Sequence, residues 1–524
     1  MYSSKVISAL GSLISKIFLS SVLACLCACN CSTEKPQNNG GETPGTDTKP
    51  VPEVKVKDVT VYVTKADRTK LFEKSYLDFG KPGSMSPNQV TYDKTATAQE
   101  VDGFGLAVTT ATCYNLMQMS QADRTAFLKE TFSRTEGAGS SLIRVSIGAS
   151  DFCIKDEYTW CDKPGLENFA VHSEDKDYLF PVLKEIYAIN PDVKIIGSPW
   201  SCPKWMKGGG YRYEGFDKAE LEKDYDSWTT GRLKPSCYDD YAEYFVKWVQ
   251  VMENEGFDIF ALTMQNEPLN HGNSMSMYMP WQDQKEFVKV LGPAMEKAGL
   301  GDVKILLFDH NYNYDNVASQ NNYPLNIYAD PEAYKWADGS AWHSYGGSVE
   351  ELDEIYSENP EKDIYFTEAS IGEWYPNFDV CLMNDFRQIF LGTLKRGGKG
   401  VTLWNLMLDD KNGPYSPQPG SCKTCFGGVT INSKDYKTIT KNSHWFNMAH
   451  ASAVIKPGAK KIATGGMKLP GNFELQMYLN PDNTIGVIIE NDTDKEQSLV
   501  FPNTKFTVKY TVPAKSLASL LWQE

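Results

Sequence analysis

Eight short apolar runs recur through the middle of this chain, each separated from the next by enough residues for a helix. That repetition constrains the fold more than anything else in the sequence. In order the runs are VDGFGLAVT from Val101, SLIRVSIGA from Ser141, VKIIGSPWS from Val193 and IFALTMQNEP from Ile259, followed by VKILLFDHN from Val303, GSAWHSYG from Gly339, IYFTEAS from Ile364 and GVTLWNLML from Gly400. Several are apolar throughout rather than alternating, the pattern of strands buried on both faces. The spacers carry helical periodicity: between Tyr238 and Gly256, the residues Tyr241, Phe245, Trp248 and Met252 share one face, and a glycine ends the run. Strands and helices alternating eight times predict an α/β fold, a closed parallel (β/α)8 TIM barrel. The competing open doubly wound sheet would carry a glycine-rich phosphate loop after its first strand, and none follows the first run.

The flanks predict a second unit. Val54 to Thr64 alternates as a strand does, and after about residue 450 the runs NFELQMYL, TIGVIIEN and SLASLLW are separated by turn residues such as NPDN. One small β-sandwich, formed from both chain ends and attached to the barrel, accounts for them; its role is structural or an aid to polysaccharide binding. The expected division is a signal segment over 1–31, a flexible linker over 32–53, N-terminal sandwich strands over 54–98, the barrel over 99–450 and C-terminal sandwich strands over 451–524.

Lys5 and Lys16 precede the apolar stretch IFLSSVLACLCAC, Ile17 to Cys29, which is too short to span a bilayer. It ends among small residues and cysteines, as a bacterial lipoprotein signal does, and cleavage before Cys25 or Cys29 would leave a cysteine to carry the lipid; a plain secretion signal is the alternative. One acyl chain binds membranes only marginally, so stable anchoring takes several. The Pro- and Gly-rich segment that follows suits a tether. The expected location is therefore the outer membrane, the cell surface or the periplasmic face, with membrane contact only through the anchor. Eight cysteines lie beyond this segment, among them two close pairs, Cys153 with Cys161 and Cys422 with Cys425. In an exported chain each pair reads first as a disulfide, although spacing alone does not settle connectivity; the Cys and His spacings do not suit zinc. A formal charge of −15 with scattered Lys and Arg argues against a nucleic-acid partner.

In a barrel of this kind the strand C-termini carry the chemistry, and polar or aromatic residues gather there: Asp151, Trp200, Asn266, Glu267, Asp309, His310, His343, Tyr345, Glu368, Trp404 and Asn405. Glu267 and Glu368 end the fourth and seventh runs, which face each other across a closed barrel. Two such carboxyls suit a retaining glycosidase, in which one protonates the leaving oxygen and the other attacks the anomeric carbon from roughly 5 to 5.5 Å away. The acid should be held protonated and the nucleophile ionised. Arg144 and Tyr345 are placed to hold the nucleophile's pKa low, and Asn266 to bond a sugar hydroxyl. Trp200 and Trp404 offer flat faces to a pyranose ring, and Pro268 is expected to keep Glu267 extended. A structural ion pair inside the barrel is the plain alternative for Arg144.

The motifs ALTMQNEP and YFTEASIG resemble the acid/base and nucleophile motifs of glycoside hydrolase family 30, which includes the lysosomal glucosylceramidase and microbial β-1,6-glucanases. IRVSIGASDF, GSPWSCPKWMK, AWHSYGG and VTLWNLMLD match in the same order, over roughly residues 100 to 455. The resemblance implies a barrel with an attached β-sandwich, retention of configuration and neither metal nor organic cofactor. It implies Glu267 as acid/base, Glu368 as nucleophile, and a cradle for glucose that includes Asp151, Trp200, Asn266 and Trp404, with His343 and Tyr345 as further substrate contacts. The expected activity is cleavage of a β-glucan, β-1,6-linked first. A glucosylceramidase-like exo-enzyme or a xylanase is the alternative within the family, and a non-catalytic glycan-binding surface lipoprotein the alternative outside it. The loop DDKNGPYSPQPGSCKTCFGG after the eighth run carries two cysteines that match no family feature and lies where it could shape the leaving-group side.

Overall fold

All eight apolar runs form strands in the computed structural model, which describes residues 57–83, 88–209, 217–273, 275–312, 317–466 and 468–524. The expected signal, both candidate lipidation cysteines, the linker and the first residues of the N-terminal strand segment lie outside the described residues. The strands are β1 (Gly103–Ala107), β2 (Leu142–Ser146), β3 (Lys194–Ser198), β4 (Ile259–Thr263), β5 (Lys304–Asn311), β6 (Gly339–His343), β7 (Asp363–Glu368) and β8 (Gly400–Asn405). They pair in parallel in the order β1-β8-β7-β6-β5-β4-β3-β2. The remaining seam, β1 against β2, is bridged by backbone bonds from Ser141 N to Phe104 O and from Val108 N to Arg144 O, both 2.9 Å. The result is a TIM-like barrel. Of the helices around it, Tyr238–Asn254 buries Tyr241, Phe245, Trp248 and Met252, and Gly256 takes a φ of 94° just past its end, the left-handed position that glycine occupies at no steric cost.

Both chain ends build the β-sandwich. Its larger sheet has seven antiparallel strands in the spatial order Glu73–Leu77, Val59–Lys65, Ser516–Gln523, Thr484–Asn491, Phe473–Leu479, Ala459–Gly465 and Thr91–Val101. A hairpin of Gln497–Pro502 with Thr507–Val512 accompanies it. Val59, Val61 and Val63 pair with Trp522, Leu520 and Ala518, and all six side chains enter one apolar cluster, as period-two alternation requires. The strand Thr91–Val101 runs through the expected boundary at 98–99 and leads directly into β1. Arg387, on the barrel side, donates from Nη2 to Glu490 and Asp492 of the sandwich at 2.6 Å each.

One close cysteine pair is bonded and the other is not. Cys422 and Cys425 form a disulfide, whereas Cys153 and Cys161 are separate buried thiols, which corrects the expectation of a bridge there. The Cys161 thiol lies 3.3 Å from the carbonyl of Gly165, and each of the two sulfurs is packed in its own place in the core.

Candidate active site

Inside the barrel, side chains two residues apart on a strand point the same way. A lower layer toward the strand N-termini consists of Leu142, Ile196, Ala261, Leu306, Ala341 and Tyr365. Two residues further along β2, β3, β4, β6 and β7 come Arg144, Ser198, Thr263, His343 and Thr367. On β5 the step is three residues, because the ladder with β6 is irregular between Phe308 and His310, with φ of 70° at Phe308 and 69° at Asp309. This bulge sends Phe308 against Tyr323 and Trp342 and turns Asp309 inward, the re-aiming that an extra residue produces.

Asp309 is the hub of this upper layer. Its Oδ2 accepts from Arg144 Nη2 at 2.7 Å, Thr263 Oγ1 at 2.6 Å and Ser198 Oγ at 3.2 Å. Its Oδ1 accepts from Thr367 Oγ1 at 2.6 Å and lies 3.1 Å from His343 Nε2. Five strands thus converge on one carboxylate. Arg144 spreads its remaining donors to Asn266 Oδ1 at 2.7 Å, Ser198 Oγ at 3.1 Å and Glu368 Oε2 at 2.5 Å. Glu368, the last residue of β7, also accepts from the Tyr345 hydroxyl at 3.0 Å. On the other side, His343 Nδ1 lies 3.1 Å from Glu267 Oε1, and Asn270 Nδ2 donates to Glu267 Oε2 at 2.8 Å. One chain of contacts, Glu267–His343–Asp309–Arg144–Glu368, joins the two glutamates through the core.

Glu267 is not extended. Strand β4 ends at Thr263, four residues earlier, and Glu267 has a φ of 43°, which corrects the expectation drawn from Pro268. Its N–H donates to Asp309 O at 2.9 Å and its carbonyl accepts from Asn270 N at 2.9 Å. The left-handed residue is therefore held in a turn by bonds on both sides, and such strain persists where the surroundings over-determine it.

Above the network lies a cavity of about 340 Å³ lined by both glutamates and by Asp151, Trp200, Asn266, Tyr345 and Trp404. Of the expected substrate contacts, His343 alone is absent from the wall: it is fully buried behind Glu267. Trp200 and Trp404 stack on each other with centroids 5.0 Å apart, and the Arg144 guanidinium lies 4.8 and 5.4 Å from their rings. One face of each is thus already occupied, and both rings are only 4% exposed; they wall the cavity by their remaining edges instead of presenting open platforms. Asn270 and Trp374 are among the lining groups that had no role in the sequence reading, while Cys422 and Cys425 bring the loop expected on the leaving-group side onto the wall. Asp309 was visible only as a polar strand end, although a lone Asp within an apolar run is itself a signal, since buried carboxylates need partners.

The charges run opposite to the expected assignment. Burial works to raise the Glu267 carboxyl, but His310 and His343 hold it down at about 2. Burial raises Glu368 above the usual carboxylate range, with Glu267 and Asp309 adding to the rise against the pull of His343 and Arg144. Contact with Arg144 and Tyr345 is therefore present, but it does not by itself hold the resting Glu368 low. Burial opposes charge on His343, yet Glu368, Asp309 and Glu267 raise it to about 9, so the ring is an imidazolium at neutral pH. Asp309 stays well below the ordinary range because Arg144 and His343 outweigh its burial. Asp151 is pushed well up, first by burial and then by the two glutamates. Glu267, His343 and Glu368 bring one ligand atom each within 4.8 Å of one another; to bind a metal, His343 would have to give up a contact to Glu267 or Asp309.

Residues 101–455 match the glycosyl hydrolase family 30 TIM-barrel domain and residues 458–520 the family 30 β-sandwich domain. The endo-1,6-β-D-glucanase neg1 of Aspergillus fumigatus is 32% identical over 430 residues, covering 79% of this chain and 83% of that protein. The lysosomal acid glucosylceramidase of Mus musculus is 26% identical over 447 residues, 81% of each chain. Among solved structures, the endo-β1,6-glucanase BT3312 superposes with a TM-score of 0.84 at 47% identity, covering 89% of this chain and 100% of that one. The barrel strands fall within the first match and the sandwich strands after Gly458 begin within the second, and the chain belongs to glycosyl hydrolase family 30.

Proposed function

We propose that this glycoside hydrolase cleaves β-1,6-linked glucan within the chain, by double displacement, with Glu368 as nucleophile and Glu267 as acid/base. The observation that carries the mechanism is the approach of one Glu267 oxygen and one Glu368 oxygen to within 4.8 Å. That is close to the roughly 5 to 5.5 Å of retaining enzymes and well short of the roughly 6.5 to 9.5 Å that leaves room for a water between the carboxyls. The linkage rests on the endo-1,6-glucanases among the relatives.

Glu368 attacks the anomeric carbon, the glycosidic bond breaks, and its electron pair leaves on the aglycone oxygen, which takes a proton from Glu267. Water then attacks the same carbon, Glu267 takes its proton, and Glu368 departs. The proton that arms Glu267 comes across the 3.1 Å contact from His343 Nδ1. The neutral ring that remains keeps its Nε2 proton toward Asp309, and Arg144 and Tyr345 stay as the donors facing the attacking carboxylate. A purely glycan-binding protein would not need two buried carboxyls held this close together, since each buried charge costs desolvation that its partners must offset.

The test is hydrolysis of pustulan, laminarin, xylan and glucosylceramide side by side, with product sizing. Pustulan broken first into mixed oligosaccharides supports the proposal. Release of glucose alone from chain ends, or preference for glucosylceramide or xylan, would replace it with the exo-enzyme or xylanase reading.

We also propose that the chain is an exported lipoprotein anchored through Cys25 or Cys29. The apolar stretch and the cysteines at its end support this. Labelled palmitate should be incorporated and then lost on Cys25→Ser or Cys29→Ser; no incorporation in the native chain would leave a plain secretion signal.

A further inference from the structure

The loop after β7 joins two hollows. Its first residues, Ile371–Gly372, pair antiparallel with Cys425–Phe426 of the disulfide-bearing segment, and Glu373 N donates to Thr424 O at 2.9 Å. A side chain at position 372 would meet the Trp374 ring at 2.1 Å and Thr424 O at 2.4 Å, so glycine is what allows the loop to fold this closely. Asn412 adds a further tie, donating to Glu373 Oε1 at 2.7 Å and to Lys423 O at 3.1 Å.

Beyond this brace stand two consecutive exposed rings, Trp374 at 54% and Tyr375 at 49%. Trp374 lines the catalytic cavity. Tyr375 lines a separate hollow of about 460 Å³, with Asn377 and Phe378 beside it and Asp67 and Arg68 across from it. Those last two residues belong to the turn that follows the sandwich strand Val59–Lys65. Arg68 holds a φ of 61° in that turn, which is closed by Lys65 N to Lys70 O and Arg68 N to Lys65 O, both 2.9 Å. Its guanidinium sits 4.1 Å over the Phe378 ring.

We infer that this hollow at the boundary of barrel and sandwich is a remote glucan subsite, occupied by the chain that passes from the catalytic cavity over Trp374 onto Tyr375 and Arg68. It rests on the reading of the enzyme as a polymer-cleaving glucanase and extends it. Exposed flat rings next to fixed donors and acceptors match the two surfaces of a glucosyl unit, apolar C–H faces and equatorial hydroxyls: Arg68 and Asn377 supply donors, and Asp67 and Asn377 acceptors. Continuity argues for the same glucan rather than a separate partner, because adjacent residues of one braced loop line the cavity and the hollow. The sandwich thereby acquires a part in substrate binding, through a turn rather than a sheet face.

Tyr375→Ala and Arg68→Ala remove exposed side chains, and an unchanged melting temperature would verify folding. Wild type should show kcat/KM rising with β-1,6-gluco-oligosaccharide length. In each variant that rise should be cut short: KM for pustulan and long oligosaccharides up about tenfold with kcat kept, while turnover of an aryl β-glucoside and of the disaccharide stays within about twofold. Calorimetric affinity of a long oligosaccharide for Glu368→Gln protein should fall by a similar factor when Tyr375→Ala is added. Identical length dependence in variant and wild type, or equal losses on short and long substrates, would overturn the subsite. Failure of the wild type to cleave any β-1,6-glucan would instead overturn the proposed function, and this ligand with it.

Discussion

Leu142 and Arg144 stand two residues apart on one strand, face the same interior, and differ completely in what they ask of the fold. The same contrast holds around the barrel: Ile196 under Ser198, Ala261 under Thr263, Leu306 under Asp309, Ala341 under His343 and Tyr365 under Thr367. All twelve are fully buried. In the lower layer burial itself stabilises, by about 25 cal/mol per Å² of apolar surface removed from water. In the upper layer burial opposes folding, and the charges are tolerated because Asp309 gathers five partners and Arg144 makes four hydrogen bonds, two of them to carboxylates. Equal burial thus serves two ends, and the costly layer is the one that holds Glu267 and Glu368 across the cavity.

The largest expected effect separates chemistry from stability altogether. Glu368→Gln keeps the shape and most contacts of the side chain but cannot attack carbon. Turnover of every substrate should fall by at least about 10³-fold with little change in melting temperature. Glu267→Ala should lose about 10² to 10⁴-fold on glucans and far less on aryl glucosides whose leaving groups need no proton. Equal losses on both substrate types would reverse or void the assignment of the two carboxylates, a live issue given that the resting site holds Glu267 low and Glu368 high.

Next comes the contrast between layers. Leu306→Ala leaves a void in the lower layer and should cost about 2 to 5 kcal/mol, with the folded fraction still active. Asp309→Asn strips the hub charge from between Arg144 and His343 and should cost about 3 to 5 kcal/mol. The folded protein should nonetheless be nearly inactive, because both glutamates lose their support. Chemical denaturation alongside kcat measurement checks this; if the two variants kept equal activity per folded molecule, the upper layer would be merely structural.

The two layers also differ in how legible they were in the sequence. Apolar runs revealed all eight strands and their order, since burial on both faces leaves a continuous hydrophobic stretch. Those runs hide phase: with both faces apolar, nothing in VKILLFDHN says whether Phe308 or Asp309 points inward, and the bulge that decides it is a backbone event. Glu267 and Glu368 were readable because carboxylates at strand ends stand out against apolar runs. His343 was placed on the cavity wall, because sequence shows which strand end bears a ring but not its depth behind another side chain. The left-handed turn at Glu267 was missed for a related reason: the proline rule constrains the preceding residue only statistically, and here tertiary hydrogen bonds prevail. Trp374 and Tyr375 lie in a loop without periodicity, so only coordinates bring them beside the cavity and beside Arg68.

The smallest expected effect tests the charge that links the layers' fates. His343 is raised to about 9 in the fold, against about 6.5 in an unfolded chain. A raised pKa contributes stability that is complete below about 6.5 and lost as pH climbs through 9. Asp309 and Glu267 are held low and act at the other end, contributing above about pH 4 and losing that contribution as pH falls. Glu368, raised chiefly by burial, opposes them in that acid range. Lys207 and Lys461, lowered to about 8 by burial, favour folding as pH rises and would mask the histidine in wild type alone. The informative quantity is therefore the difference between wild type and His343→Asn. Wild type should hold its greatest advantage near pH 6, and that advantage should shrink by up to about 3 kcal/mol by pH 9.5. An advantage flat across this range would mean that His343 is neutral in the resting site, and the proton that arms Glu267 would have to come from solvent.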